Sequence, residues 1–102
     1  MTRWVAIFDD APGKMQVRAD HRDAHFAYLE ANMDRIRLGG AVRVENDDNP
    51  VGGLWILETE TREEAVKLCE EDPFYRHGLR SGYRLLSWGR GPCFGPVDSI
   101  PL

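Results

Sequence analysis

The sequence predicts an α+β fold in which strands and helices follow one another in the order βαββαβ. Two observations favour this order. Short runs rich in β-branched and aromatic residues alternate with two stretches of helical periodicity, and loops containing Gly or Pro separate several of them. The chain has 102 residues, 42% of them hydrophobic and 29% charged, which is enough for one folded domain. This order is typical of a four-stranded antiparallel sheet with both helices on one face.

The first half of the chain is predicted to form a strand, a long helix and a second strand. Residues 3–8 are apolar at both alternating sets of positions, which indicates a strand covered on both sides. From Val17 to Leu38 apolar residues recur at steps of three and four, so we expect a helix that Gly39-Gly40 ends. The second strand is expected at Ala41–Glu45. The predicted apolar stripe of the helix consists of Phe26, Leu29, Met33 and Ile36.

The second half is predicted to repeat this pattern with a shorter helix. A third strand is expected at Leu54–Glu58, and Thr61–Glu64 has the sequence of a capping box that begins a helix. This helix should end by Asp72, because Pro73 disfavours the helical conformation in the residue before it. A turn or a short helical piece over Phe74–Gly78 then leads into a fourth strand at about Leu79–Trp88.

These elements define a ferredoxin-like domain over residues 1–88, followed by an extended arm over residues 89–102 that contains three prolines and three glycines. The first and third strands are apolar on both sides, but two helices can cover one sheet face. We therefore expect a homodimer in which a second copy of the chain covers the other face. The alternative is a monomer whose tail folds beneath the sheet.

Composition narrows the classes of function. The net charge of −4 argues against a nucleic-acid-binding protein, which needs a basic face for the phosphates. No apolar run approaches the roughly 20 residues needed to span a bilayer, and we expect neither a membrane partner nor a signal peptide. Cys69 and Cys93 form no disulfide framework or paired metal motif, so the cytoplasm is the expected compartment.

One end of the first helix carries ionisable side chains on an otherwise apolar stripe. Continuing the stripe towards the N-terminus brings in Arg22 and, at its edge, His25. A buried cation needs a carboxylate partner or solvent. Asp72 is the best candidate, because one further turn of the second helix would place it on the inward face. A carboxylate fixes the tautomer of an imidazole, which prepares the ring for general acid or base catalysis.

A metal site is the competing interpretation of this helix. His21 and His25 are four residues apart, a spacing that can bind zinc on a helix face. No third ligand is evident, and we predict neither a metal site nor an organic cofactor. A single histidine at the edge of a helix is also often a structural or solvated residue, and only the pairing with Arg22 and Asp72 favours a functional one.

The motifs resemble those of the YciI-like (YCII-related) family. Arg22 to Leu29 is similar to its R-x-x-H-x-x-x-L segment, Asp72-Pro73-Phe74 to its D-P-[FY] element, and Trp4–Phe8 to its opening strand. This resemblance implies a ferredoxin-like dimer of the dimeric α/β-barrel type. It also implies that His25 and Asp72 are a catalytic pair, with Arg22 as an anion-binding residue. The stretch Ala41-Val42-Arg43 departs from the family, where Gly-Pro is frequent.

Two functions from different classes follow from these observations. The first is a cofactor-independent lyase or isomerase, in which His25 moves a proton on a small cyclic or anionic substrate. The resemblance implies this kind of reaction, because a dehydrochlorinase acting on a chlorinated hydroxyquinol is the known type of enzyme in the family. The second is a module that binds a small ligand, or assists another enzyme as a dimer, without turnover.

Overall fold

The structure is a computed structural model that describes residues 1–45 and 47–94. Its four strands form one sheet in the order β2-β3-β1-β4, in which every neighbouring pair is antiparallel. The predicted ferredoxin-like α+β fold is therefore confirmed. The elements are β1 (Thr2–Asp10), α1 (Met15–Ala31), β2 (Ile36–Val42), β3 (Gly52–Thr59), α2 (Arg62–Glu71), α3 (Pro73–Arg76) and β4 (Arg80–Ser87). A short 3₁₀ turn follows at Pro92–Phe94, and the rest of the predicted C-terminal arm lies outside the described residues.

The core lies between the helices and one face of the sheet. Alternate residues of the two central strands point to this face and are buried, among them Ala6, Phe8, Trp55 and Leu57. They pack with the inward residues of α2, which are Ala65, Leu68 and Cys69. The fully buried Cys69 thiol packs here as a small core group.

The long helix predicted from Val17 to Leu38 is wrong at its C-terminal end. Helix α1 ends at Ala31, and Asn32 follows as its C-cap, with the Asn32 side-chain amide donating to the Tyr28 carbonyl at 2.8 Å. The predicted apolar stripe does not form a buried face, because the Phe26 side chain is 46% exposed and Met33 is 65% exposed. Ile36 is buried, but it belongs to β2.

Strand β2 begins five residues earlier than predicted. Gly39 and Gly40, expected to end the helix, lie inside this strand and pair with Trp55 and Leu54 of β3. A Cβ atom at Gly39 would lie 2.8 Å from Cδ1 of Trp55, a distance that side chains do not tolerate. Glycine is therefore needed at this position for close approach to a core indole, rather than for ending a helix.

The start and end of α2 agree with the predictions. The Thr61 hydroxyl accepts a hydrogen bond from the Glu64 amide at 3.2 Å, which is the expected N-cap interaction. The helix ends at Glu71, and Asp72 adopts an extended conformation (φ −57°, ψ 131°) before Pro73. The chain then turns into α3, so Asp72 is both the last cap of α2 and the first cap of α3.

The sheet face opposite the helices is mainly apolar. The strand register places Val5, Ile7, Leu54 and Ile56 of the central strands on this face. Leu38 and Leu86 of the two edge strands flank them and are exposed. No helix covers this face in the described part of the chain. Within residues 1–45 and 47–94, no helix is both long enough and apolar enough to cross a membrane.

Candidate functional site

The side chains of His25 and Asp72 meet in the interior beneath α1. His25 is the buried residue of α1, and its Nδ1 lies 2.6 Å from Oδ1 of Asp72, which is fully buried. Because a carboxylate oxygen accepts hydrogen bonds, this contact places the imidazole proton on Nδ1. Nε2 is then the nitrogen available to a ligand, and His25 lines a cavity.

Asp72 is held in place by its position between two helices. Its Oδ1 also accepts a hydrogen bond from the Phe74 amide at 3.3 Å, which caps α3. Its Oδ2 has no hydrogen-bond partner among the described residues, and the nearest cation is Nη2 of Arg80 at 3.8 Å. The carboxylate is therefore oriented by the backbone on one side and faces a guanidinium on the other.

Two aromatic rings fix the plane of the His25 imidazole. The ring stacks on Phe74 with a centroid distance of 3.9 Å and an interplanar angle of 11°. The Trp55 ring lies 6.4 Å away at 28°. Together with the Asp72 contact, this packing restricts both the tilt and the rotation of the imidazole.

A chain of alternating charges continues from Asp72 across the floor of the cavity. Nη1 of Arg80 lies 3.1 Å from Oδ1 of Asp10, and Arg18 binds the same carboxylate through Nε and Nη2 at 2.9–3.2 Å. Nη2 of Arg18 also donates to the Gly52 carbonyl at 3.1 Å. A register shift in β1 between Asp9 and Asp10 places Asp10 opposite Arg80. Two carboxylates and two guanidinium groups thus form one neutral network.

The Arg80 side chain is buried, and it packs against aromatic rings as well as the two carboxylates. Its side chain is 2% exposed, and its guanidinium carbon lies 4.5 Å from the Phe8 ring centroid and 5.6 Å from that of Phe74. Burial lowers the pKa of Arg80, and the neighbouring Asp72 and Asp10 oppose this shift. A Cβ at Gly53 would come within 3.2 Å of Arg80 Nη1, so glycine leaves room for the guanidinium.

The cavity above this network has a volume of about 490 Å³, within the range of small-molecule sites. Its walls include Phe26 and Leu29 of α1 and the Gly39–Ala41 segment of β2. Arg18, Arg22, Arg43 and Arg80 all line it, and no acidic side chain does so among the residues the structure describes. The cavity therefore presents positive charge and aromatic surface beside the His25 imidazole.

All three site residues predicted from the sequence lie in this region. His25 and Asp72 are in direct contact, and Arg22 lines the same cavity with its guanidinium 5.3 Å from the Phe26 ring centroid. Arg18 and Arg80 also line this cavity and were not predicted from the sequence. The spacing of Arg18, Arg22 and His25, at steps of four and three, could have indicated that Arg18 shares their helix face.

The remaining sequence candidates lie outside the cavity or in the core. His21 stacks on His77 with a centroid distance of 3.6 Å, so its ring packs against another imidazole. In the described part of the chain, no group of three or more His, Cys, Asp or Glu residues could hold a metal ion. Burial raises the pKa of the Cys69 thiol to about 12, and Asp72 adds to the shift, which leaves this thiol uncharged at neutral pH.

Comparison with known proteins identifies the family. The sequence matches the YCII-related domain over residues 2–89. The chain belongs to the YCII-related family. The solved structure of 5-chloro-2-hydroxyhydroquinone dehydrochlorinase (TftG) from Burkholderia phenoliruptrix AC1100, in complex with 2,5-dihydroxybenzoquinone, is 33% identical to this YCII-related chain, with a TM-score of 0.76. The alignment covers 87% of this chain and 95% of that one. No curated protein gives a significant match.

More distant structures share the fold of this YCII-related protein. A NIPSNAP family protein from Agrobacterium tumefaciens is 13% identical with a TM-score of 0.54, and the match covers 93% of this chain and 96% of that one. The hypothetical protein PHS023 from Pyrococcus horikoshii is 14% identical with a TM-score of 0.52, covering 94% and 99%. At these identities the comparison supports the ferredoxin-like architecture alone.

Proposed function

We propose that this YCII-related protein is a small-molecule enzyme in which His25 transfers a proton and Asp72 orients the imidazole. The observation that carries the proposal is the 2.6 Å contact between His25 Nδ1 and Asp72 Oδ1 at the edge of a cationic cavity. The contact leaves Nε2 to act as base or acid towards a bound ligand. The 33% identity with a dehydrochlorinase supports elimination as the reaction type, with isomerisation as a related proton transfer.

An elimination at this site needs a base and a leaving group. In a chlorinated hydroquinone the ring first tautomerises, so that the hydroxyl next to the chlorine-bearing carbon becomes a carbonyl and its hydrogen moves to that carbon. Nε2 of His25 then takes the proton of the hydroxyl para to the new carbonyl. The O–H electron pair forms a second carbonyl, the ring double bond shifts, and chloride leaves with its bonding pair to give a quinone. The Asp72 carboxylate stabilises the imidazolium that forms. Arg22 binds an anionic group of the substrate, and the stacked Phe74 ring keeps the imidazole in position. We expect no metal or organic cofactor to take part.

The experiment that tests this proposal is chloride release. Purified protein incubated anaerobically with 5-chloro-2-hydroxyhydroquinone should release chloride faster than buffer alone, as measured by ion chromatography. A His25→Asn variant provides the matched control, because it removes Nε2 and can still donate to Asp72. Chloride release at the buffer rate by folded protein would contradict the elimination mechanism and would favour the binding-module function.

We also propose that the protein is a homodimer joined through the sheet face opposite the helices. The exposed Leu38 and Leu86 beside the apolar central strands support this interface. Light scattering at micromolar concentration should give twice the 11.6 kDa of one chain. A Leu86→Glu variant should become monomeric, whereas Met33→Glu, at an exposed position outside this face, should remain a dimer. A monomeric wild-type protein would contradict the proposed interface.

A further inference from the structure

The charges around the cavity are not evenly compensated. At its floor, Arg18 and Arg80 face Asp10 and Asp72, so two positive and two negative charges cancel. At its mouth, Arg22 of α1 and Arg43, which follows β2, also line the cavity. Neither of these two arginines has a carboxylate within ion-pair distance among residues 1–45 and 47–94.

The two mouth arginines are positioned by weak interactions that leave their donors available. The Arg22 guanidinium carbon lies 5.3 Å from the centroid of the Phe26 ring, a cation–π contact that needs no hydrogen bond from its N–H groups. Arg43 donates through Nε to the Asp48 carbonyl at 3.4 Å, which leaves its two terminal nitrogens. Both residues are solvent-exposed, so a ligand can reach them without disrupting the fold.

We infer that the cavity takes a cyclic ligand carrying two negative charges, which Arg22 and Arg43 bind at the mouth while the ring lies against the aromatic wall near His25. Two uncompensated guanidinium groups match two charges better than one, and each can form charge-assisted hydrogen bonds to carboxylate or phosphate. Phe26, Trp55 and Phe74 provide the apolar surface that a ring requires. This inference rests on the proposed function in taking the His25 cavity as the substrate site, and it makes Arg43 a specificity-determining residue.

Equilibrium binding tests the inference independently of turnover. Isothermal titration calorimetry would compare the monoanion benzoate with phthalate, isophthalate and terephthalate, which place two carboxylates at three separations, and with phenyl phosphate at pH 8. At least one dianion should bind about tenfold more tightly than benzoate, because one additional charge-assisted hydrogen bond contributes about that factor. Tighter binding of phenyl phosphate would indicate that the ligand carries both negative charges on one phosphate group. Tighter binding of a dicarboxylate would indicate that it carries them on two separate carboxylate groups.

Single substitutions show whether Arg22 and Arg43 are the residues that bind the dianion. Arg43→Gln and Arg22→Gln should each reduce dianion binding by roughly 5- to 10-fold, with a smaller effect on benzoate. Arg62→Gln removes an exposed arginine at the start of α2, outside the cavity lining, and should leave binding unchanged. Equal losses in all three variants, or dianions that bind no better than benzoate, would overturn the inference.

The test separates this inference from the proposed catalysis. His25→Asn retains both mouth arginines and should keep the preference for dianions, even though it is expected to lose turnover. If the dianions bind but no chloride is released, the ligand class holds and the elimination mechanism fails. If chloride is released and the charge preference is absent, the mechanism holds and the ligand class is wrong.

Discussion

The His25→Asn variant should lose turnover by about 100- to 10,000-fold, the contribution that a positioned general acid or base makes. Asparagine places an amide near the Nδ1 position, so it can still donate to Asp72 Oδ1, but it has no atom in place of Nε2. The expected change therefore falls on kcat more than on KM. Initial rates over a range of substrate concentrations would measure it, together with thermal unfolding of the same preparation.

The His25→Ala variant is less informative than His25→Asn, because His25 is buried. It removes a buried ring that stacks on Phe74, and it leaves the Asp72 carboxylate without its closest partner. A loss of activity could then follow from a loss of folded protein. Full activity in folded His25→Asn protein would contradict the assignment of His25 as the proton-transfer residue.

Replacing Arg80 by Met should destabilise the protein by about 3–5 kcal/mol, the range observed when one partner of a buried charge pair is removed. Methionine fills much of the same volume, but the fully buried Asp72 carboxylate would lose its neighbouring guanidinium, and the Asp10 carboxylate would keep Arg18 as its partner. This is a large fraction of the roughly 5–15 kcal/mol by which domains are stable. Urea denaturation at 25 °C would measure the change in the free energy of unfolding.

Two further variants show whether charge is the cause. Lys67→Met removes an exposed lysine that pairs with Glu71 at 3.9 Å, and it should change stability by less than about 1 kcal/mol. Combining Arg80→Met with Asp72→Asn should show a coupling of about 1 kcal/mol or more, because the neutral amide no longer needs the cation. An Arg80→Met protein as stable as wild type would show that the network does not depend on this guanidinium.

Local sequence signals predicted most of the fold, and they failed where tertiary contacts decide the structure. The capping box at Thr61 and the end of α2 before Pro73 depend on neighbouring residues, so both could be predicted. The end of α1 depends on distant residues. Met33 and Ile36 continue the helical spacing, but Ile36 pairs with Leu57 of β3 in the core. Periodicity cannot distinguish a further helical turn from the first residue of a strand.

The candidate site was predictable to the extent that helix geometry determines it. His25 and Arg22 were found on one helix face, and Asp72 at the end of the second helix. The contact between Arg80 and Asp10 joins two strands 70 residues apart in sequence, and it depends on the irregular register beside Asp10. No local pattern encodes that register, so the buried ionic network could not be anticipated.

The cavity is lined both by residues on buried elements and by residues on a surface connection. The imidazole of His25 lies on α1 and the carboxylate of Asp72 lies at the buried junction of α2 and α3, whereas Arg43 and Pro50 belong to the connection between β2 and β3. Surface connections tolerate insertion and substitution far better than buried elements do. Exchanging the connection between β2 and β3 among relatives should therefore change which ligand binds while the His25–Asp72 pair stays the same. This connection is the segment to vary in directed evolution or loop grafting.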